Sequence, residues 1–217
     1  CGRFTQTASP AVIAQQFAVA IPPLFTPRYN IAPSQPIAAI RIDPDTATRT
    51  LVMLRWGLIP SWAKDPKIGH QCINAKAETV AEKPSFRAAF KSRRCLVIAT
   101  GFYEWQLQGR AKQPMWIGLK SHRPFAFAGL WEQWQPPDGA VIESCTILTT
   151  EPNELLKPIH NRMPVILAPT AYDQWLDPTF QRAEYLKALL RPYPSEELLA
   201  YPVSTLVNNP RHDAPEC

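Results

Sequence analysis

The chain has 217 residues, enough for one domain with a sizeable core or at most two small ones. Hydrophobic residues make up 46% and charged residues 19%, an ordinary globular balance, and no apolar run approaches the roughly 20 residues of a bilayer span. A net charge of +5 admits a polyanion as partner, while five cysteines without a CxxC pair exclude a disulfide framework and argue against a structural zinc site.

Cys1-Gly2-Arg3-Phe4 open the chain. If Cys1 is the mature terminus, it carries an α-amine and a thiol on adjacent carbons. Such an amine condenses with an aldehyde to an imine, and the thiol then closes a five-membered thiazolidine. The same residue also reads as a frayed end or a tag scar. Ser9-Pro10 starts a helix with Val12, Ile13, Phe17 and Ala18 on its apolar face. A Pro-rich loop follows, with Pro22, Pro23 and Pro27, and continues through Arg28-Tyr29-Asn30-Ile31-Ala32-Pro33.

Strand patterns cover 36–42 and 48–58, and the long loop 59–73 carries Trp62. Loops of that length without structure of their own are often functional. Residues 74–82 read as a turn entering a short helix, and Ser85 as the cap of a helix to 92 with Phe86 and Phe90 inward. Cys95–Ala99 is a buried strand leading into Gly101-Phe102-Tyr103-Glu104-Trp105, and Gly109-Arg110 turns back to a hairpin partner at 114–119. Further strands fall at 124–134 and 140–149, a helical turn at 152–157 and a strand at 165–167. Helices follow at 169–176 and 179–190, then a last strand at 202–207.

Some eight strands with short helices and no βαβ rhythm make an α+β fold. The expected architecture is one domain, 1–217, of mostly antiparallel, barrel-like sheet flanked by short helices. Cys95 and Cys145 are expected as buried thiols and Cys217 as a free, exposed end.

Phosphate-loop, dinucleotide, zinc-hydrolase and nucleophile-elbow motifs are absent, which leaves four polar spots. Asn74 is either a turn cap or an amide that holds a substrate oxygen or the terminal amine. Glu104, inside an aromatic strand, lies either on a solvent face or in a site wall suited to general acid–base work. His160, in Pro158-Ile159-His160-Asn161-Arg162-Met163-Pro164, is either a proton shuttle or a satisfied structural residue. The fourth is a set of Arg3, Arg28, Lys76, Arg87 and Arg162, with Trp62 and Pro33 in long loops. Arginines beside stacking rings compose a single-strand nucleic-acid groove, or else an ordinary solvated surface.

The ordered set Cys1-Gly2-Arg3-Phe4, Arg28-Tyr29-Asn30-Ile31-Ala32-Pro33, Trp56-Gly57-Leu58-Ile59-Pro60, Ile73 to Thr79, Gly101 to Trp105 and His160 to Pro164 strongly resembles the SRAP (SOS-response-associated peptidase) family. Val203-Ser204 and Val207-Asn208-Asn209 look like that family's end motif, so the resemblance spans essentially the whole chain. It implies loss of an initiator Met and trapping of abasic sites in single-stranded DNA, junctions included, as a thiazolidine crosslink that shields the lesion. By the same resemblance Cys1 is the nucleophile, and Asn74, Glu104 and His160 complete the catalytic set. Gly2, Arg3, Arg28, Pro33, Trp62, Lys76, Thr79, Arg87 and Arg162 would bind the DNA.

No cofactor or metal is implied, and the expected protein is a cytoplasmic, bacterial monomer without membrane attachment. The implied peptidase activity is removal of its own Met, with strand-nicking lyase activity as a side reaction. Lys76 departs from the Arg of many relatives, keeping the charge but losing bidentate geometry. Two other readings stay open. An N-terminal-nucleophile hydrolase would need a closed pocket for a small amide. A non-covalent DNA-binding module would be indifferent to Cys1→Ala.

Overall fold

Alternating apolar residues build thirteen strands into two sheets among the described residues, 1–20 and 25–217, of this computed structural model. Pro22 and Pro23 of the expected loop lie outside the described residues. The strands are β1 (Phe4–Gln6), β2 (Arg28–Ile31), β3 (Pro36–Ile42), β4 (Arg49–Trp56), β5 (Asn74–Lys76), β6 (Arg94–Ala99) and β7 (Gly101–Gln108). They continue as β8 (Ala111–Leu119), β9 (Phe125–Trp134), β10 (Ile142–Thr150), β11 (Met163–Pro164), β12 (Ile166–Leu167) and β13 (Leu198–Pro202). Four short α-helices accompany them: α1 (Pro10–Phe17), α2 (Arg87–Ser92), α3 (Tyr172–Leu176) and α4 (Ala183–Ala188). None is long and apolar enough to cross a membrane. The α+β class and the mostly antiparallel, barrel-like sheet agree with the sequence expectation.

Five strands close on themselves. β4 pairs β3, β3 pairs β6, β6 pairs β9 and β9 pairs β10, all antiparallel, and β10 returns to β4 in parallel. Closure satisfies strand edges that would otherwise be open. The far end of β10 forks. It takes β5 in parallel, with Ile147 opposite Asn74, and β11 antiparallel, with Thr150 opposite Met163. One strand therefore fixes both Asn74 and the segment that follows His160.

The second sheet runs β13-β8-β7-β1-β2, antiparallel throughout. Phe4 joins the two sheets. It lies opposite Phe102 on β7 and Ile31 on β2, is fully buried, and sets its ring edge-on to Trp56 at 5.2 Å and Phe127 at 5.8 Å, both from the barrel. Burial of such a ring contributes about 1.5–3 kcal/mol, enough to anchor a strand of three residues. Alternation in β6 divides the interior in two: Leu96 and Ile98 pack with the helices, whereas Cys95, Val97 and Ala99 pack with Phe4 and the second sheet.

Several local expectations change. Ser9 does cap α1, accepting from the Val12 amide, but only Ile13 and Phe17 of its apolar face are buried, while Val12 and Ala18 are exposed. Residues 28–31 form β2 instead of continuing a loop, because Asp213 accepts from the Tyr29 and Asn30 amides on the strand's outer edge. Asn74-Ala75-Lys76 is a strand because β10 offers it a ladder, and turns follow it where a helix was expected. Phe86, not Ser85, occupies the cap position of α2, although Phe86 and Phe90 are buried as expected. The last strand is Leu198–Pro202, and Thr205–Asn208 is a 3-10 turn. The helix expected over 179–190 shrinks to Ala183–Ala188. Cys217 is a free thiol as expected, but half-buried instead of exposed, its Sγ 3.3 Å from the His212 carbonyl.

The 59–73 loop is tied down at its neck. The Gly57 amide donates to the Cys145 carbonyl at 2.8 Å, and a Cβ on Gly57 would stand 2.6 Å from the Gly69 carbonyl oxygen, at a φ of +130°. Only glycine serves at that crossing. Pro66–Gln71 within the loop forms a 3-10 helix, with Asp65 accepting from the Lys67 amide.

Candidate active site at the first strand

The N-terminal dipeptide is held by main-chain pairing before any side chain acts. The Tyr103 amide donates to the Arg3 carbonyl at 2.9 Å, which runs the chain start alongside β7. Glu104 is two residues after Phe102, so period-two alternation turns both side chains to the buried face. The result is a carboxylate only 4% exposed, whose Oε1 lies 2.9 Å from the Cys1 α-nitrogen. Its other oxygen, Oε2, is 3.7 Å from His160 Nε2. One carboxylate thus faces both the amine and the imidazole.

Asn74 completes the ring around Cys1. Its Nδ2 donates to the Cys1 carbonyl at 2.9 Å, and its Oδ1 is buried without a protein partner. A buried, unpaired amide oxygen costs about 1–3 kcal/mol, which a substrate donor would relieve. The thiol points elsewhere. The Cys1 side chain is fully buried among the second core, with Sγ 3.7 Å from the Arg3 carbonyl. In this rotamer the amine, not the sulfur, addresses Glu104.

His160 is set by its own loop. Asn153 Oδ1 caps the turn at Leu156, and the His160 amide donates to the Leu156 carbonyl at 2.8 Å. His160 Nδ1 lies 3.2 Å from the Arg162 amide and 3.1 Å from the Arg162 carbonyl. Accepting from the amide leaves the proton on Nε2, facing Glu104; donating to the carbonyl leaves Nε2 as an acceptor. The two arrangements are related by transfer of a single proton.

The structure brings Cys1, Asn74, Glu104 and His160 together and distributes the other sequence candidates around them. Gly2 is half-buried, with open space where a Cβ would stand. Arg3 donates to Asn30 Oδ1 at 2.8 Å and to the Val207 carbonyl at 2.7 Å, and burial holds its pKa below the usual range. Arg28 is paired with Asp213 and donates to Gln35 Oε1 at 2.7 Å. Arg162 forms a two-pronged pair with Glu78, at 2.7 and 3.0 Å, and donates to the Thr149 carbonyl at 2.7 Å. Those hydrogen bonds pull the Glu78 carboxyl below its ordinary pKa. All three arginines are therefore engaged within the protein.

Lys76 and Arg87 are exposed, Thr79 is half-buried with an unpartnered buried Oγ1, and Pro33 is half-buried in the turn before β3. Trp62 is 57% exposed, its indole N–H 3.4 Å from the Pro84 carbonyl.

An open cleft of about 410 Å3 leads to the site, lined by Glu104, Trp105, Lys112, His160 and Asn208. Trp105, Lys112 and Asn208 were not among the sequence candidates. Trp105 donates to Asn208 Oδ1 at 2.7 Å and lies 5.7 Å from the Arg3 guanidinium. Trp105 directly follows Glu104, and its strand position was the one signal available. Lys112 enters through a hairpin register that pairs it with Leu107, and Asn208 through a tail contact across 103 residues.

The family model described as SOS response associated peptidase (SRAP) matches residues 1–210. The abasic site processing protein YoqW of Bacillus subtilis (strain 168) is 49% identical over 220 residues, covering 100% of this chain and 97% of that protein. The abasic site processing protein HMCES of Xenopus tropicalis is 36% identical over 222 residues, covering 89% of this chain and 66% of that protein. A crystal structure of a protein from Bacteroides thetaiotaomicron superposes with a TM-score of 0.89 at 28% identity, covering 100% of this chain and 97% of that one. On a match that runs from the first residue through the tail strapped beneath the cleft, the chain belongs to the SOS response associated peptidase (SRAP) family.

Proposed function

We propose that the protein processes abasic sites in single-stranded DNA, binding the opened sugar covalently through Cys1. The observation that carries this reading is the Cys1 nitrogen 2.9 Å from a buried carboxylate that also faces a histidine. The names of the YoqW and HMCES relatives, both abasic site processing proteins, support the substrate class. The reading takes Cys1 as the mature terminus, after removal of an initiator Met by the protein itself.

His160 donates a proton to the ring oxygen while the anomeric hydroxyl releases its own proton to water, and the cyclic sugar opens to its aldehyde. Glu104 accepts a proton from the Cys1 ammonium, and the freed amine attacks the aldehyde carbon. The carbinolamine loses water, with its hydroxyl protonated from the Glu104–His160 pair, and leaves an imine. Asn74 holds the Cys1 carbonyl through Nδ2, and its unpartnered Oδ1 accepts from a sugar hydroxyl. One rotation about the Cα–Cβ bond then swings the thiol out of the core. Sulfur bonds to the imine carbon, the C=N π pair moves to nitrogen, and the thiol proton ends on nitrogen. Atoms balance as protein plus aldehyde giving thiazolidine plus one water. The second closure is intramolecular, so effective molarity lowers its barrier.

The buried thiol sets the order: amine first, sulfur second. An imine that eliminates before closure nicks the strand, which accounts for lyase activity as a minor outcome. The open cleft favours a polymer strand over the closed pocket that a small-amide hydrolase requires. The protein acts as a monomer in the cytoplasm, with the strand's phosphates met by cations around the cleft.

The test is incubation of the untagged protein with single-stranded DNA carrying one abasic site, followed by denaturing electrophoresis. A heat-stable protein–DNA band is expected. Its absence sinks the covalent reading. Retention of DNA binding by Cys1→Ala with unchanged protection of the lesion would favour a non-covalent module.

A further inference from the structure

We propose that Lys112 is the cation that meets a backbone phosphate of the bound strand on the Trp105 side of the cleft. This rests on the reading of a single-stranded DNA substrate given above. It concerns a residue that the sequence pattern did not single out.

Much of the nearby positive charge is already spent within the protein. Arg3, Arg28 and Arg162 point their guanidinium groups at Asn30 and the Val207 carbonyl, at Asp213, and at Glu78. A phosphate reaching any of them must displace a partner. For Arg28 and Arg162 that partner is a carboxylate, and separating the ion pair leaves a like charge beside the incoming anion. Glu104, inside the cleft, is neutralised by the Cys1 ammonium.

Lys112 differs. It is exposed, it lines the cleft with Glu104, Trp105, His160 and Asn208, and among the described residues its ammonium takes part in no ion pair or side-chain hydrogen bond. Among the described residues it is the one permanent cation lining that cleft. An ammonium on a flexible stem needs no fixed geometry and serves as a point charge for phosphate.

Its placement follows from the hairpin. Lys112 sits opposite Leu107 on β7, three residues beyond Glu104 along that strand. Strand residues advance about 3.3 Å each, so the Lys112 backbone stands on the order of 10 Å from that of Glu104 along the sheet. Period-two alternation puts Lys112 on the Trp105 face of the hairpin, so its stem meets the cleft at the Trp105 rim. The cation then sits beside the reacting centre, not on it, where a phosphate flanking the sugar would lie. Trp105, pinned by Asn208, stands between the two positions.

The experiment measures binding of an unmodified single-stranded oligonucleotide by fluorescence anisotropy across a salt series. The proteins are the wild type, Lys112→Met and Lys120→Met. Lys120 is equally exposed but lies just past the other end of β8, so its loss changes net charge identically without touching the cleft. Each phosphate neutralised on a single strand contributes about 0.7 to the slope of log affinity against log salt. Lys112→Met is expected to flatten that slope by about 0.7 and weaken binding at low salt, whereas Lys120→Met keeps the wild-type slope.

An unchanged slope for Lys112→Met overturns the proposal while leaving the substrate reading intact. Equal flattening by both substitutions also overturns it, since the effect is then global charge. If the wild type shows no salt-dependent binding and no adduct with abasic DNA, the substrate reading itself fails and this proposal with it.

Discussion

Two of the places where the molecule buries a thiol are chemically opposite. Cys95 and Cys145 face the second core from barrel strands, and both are fully buried. Burial pushes the Cys95 thiol up to about 12, and burial, reinforced by Cys95, raises the Cys145 thiol well above its ordinary value. These are inert packing groups. Cys1 buries its sulfur in the same core, but its nitrogen touches Glu104 and its carbonyl touches Asn74. In the proposed chemistry, reactivity belongs to the residue that turns its sulfur to the core and its nitrogen to Glu104. Burial of sulfur alone does not separate the two cases; what lies at the nitrogen does.

The contrast breaks most completely at Cys1. Cys1→Ala is expected to give no heat-stable adduct with abasic single-stranded DNA, while Cys95→Ala crosslinks like the wild type. Parallel denaturing gels decide this, and a crosslink surviving in Cys1→Ala would assign the chemistry to another nucleophile. Next in size is Glu104→Gln, which keeps the shape but removes the proton acceptor. Adduct formation should slow by about 10²–10⁴-fold, read from single-turnover time courses at saturating DNA. A rate within threefold of wild type would mean that the carboxylate only positions the terminus.

A structural arm sharpens the same comparison. Phe4→Ala removes the ring that seats β1 against Trp56 and Phe127, and is expected to cost about 3–5 kcal/mol in denaturant unfolding. Loss of far less than this would show β1 held by its ladder alone. The smallest effect concerns the inert thiols and alkaline pH. Between an unfolded thiol value near 9.0 and a folded one at about 12, the unfolded chain loses the Cys95 proton while the folded chain keeps it. Stability is fully present below about pH 9 and falls as pH rises, by roughly 1.4 kcal/mol per unit for such a thiol. Cys95→Ala should unfold with a visibly shallower pH dependence from pH 9 to 11 by thermal melts, and identical slopes would remove Cys95 as the source.

The parts of the fold legible in the sequence were those whose signal is local. Residues 36–42 and the apolar run at Cys95–Ala99 declare themselves by composition and appear as β3 and β6. β1 was missed because three residues carry no periodicity, and Asn74 to Lys76 were misread because a parallel partner on β10 overrides their turn-like propensity. At the site, Asn74, Glu104 and His160 stood out as polar residues among apolar neighbours. Nothing local showed that Arg28 meets Asp213 across 185 residues, or Arg162 meets Glu78 across 84. Those two closures pair two of the candidate DNA-binding arginines within the protein, and only tertiary structure contains them.

The bond between Asn30 and the tail has a consequence for how the protein comes into being. The Asn30 side chain is fully buried, accepts from Arg3, and donates to the carbonyls of Val207, Asn209 and His212, while Asp213 caps the same strand. During synthesis Arg3 and Asn30 emerge well before these tail partners. β1 can pair with β7 once Tyr103 has emerged, but the Arg3 guanidinium and the buried Asn30 amide wait for Val207 and the residues after it. The tie between the start of the fold and residues near 213 therefore forms only after the chain has been made past that point.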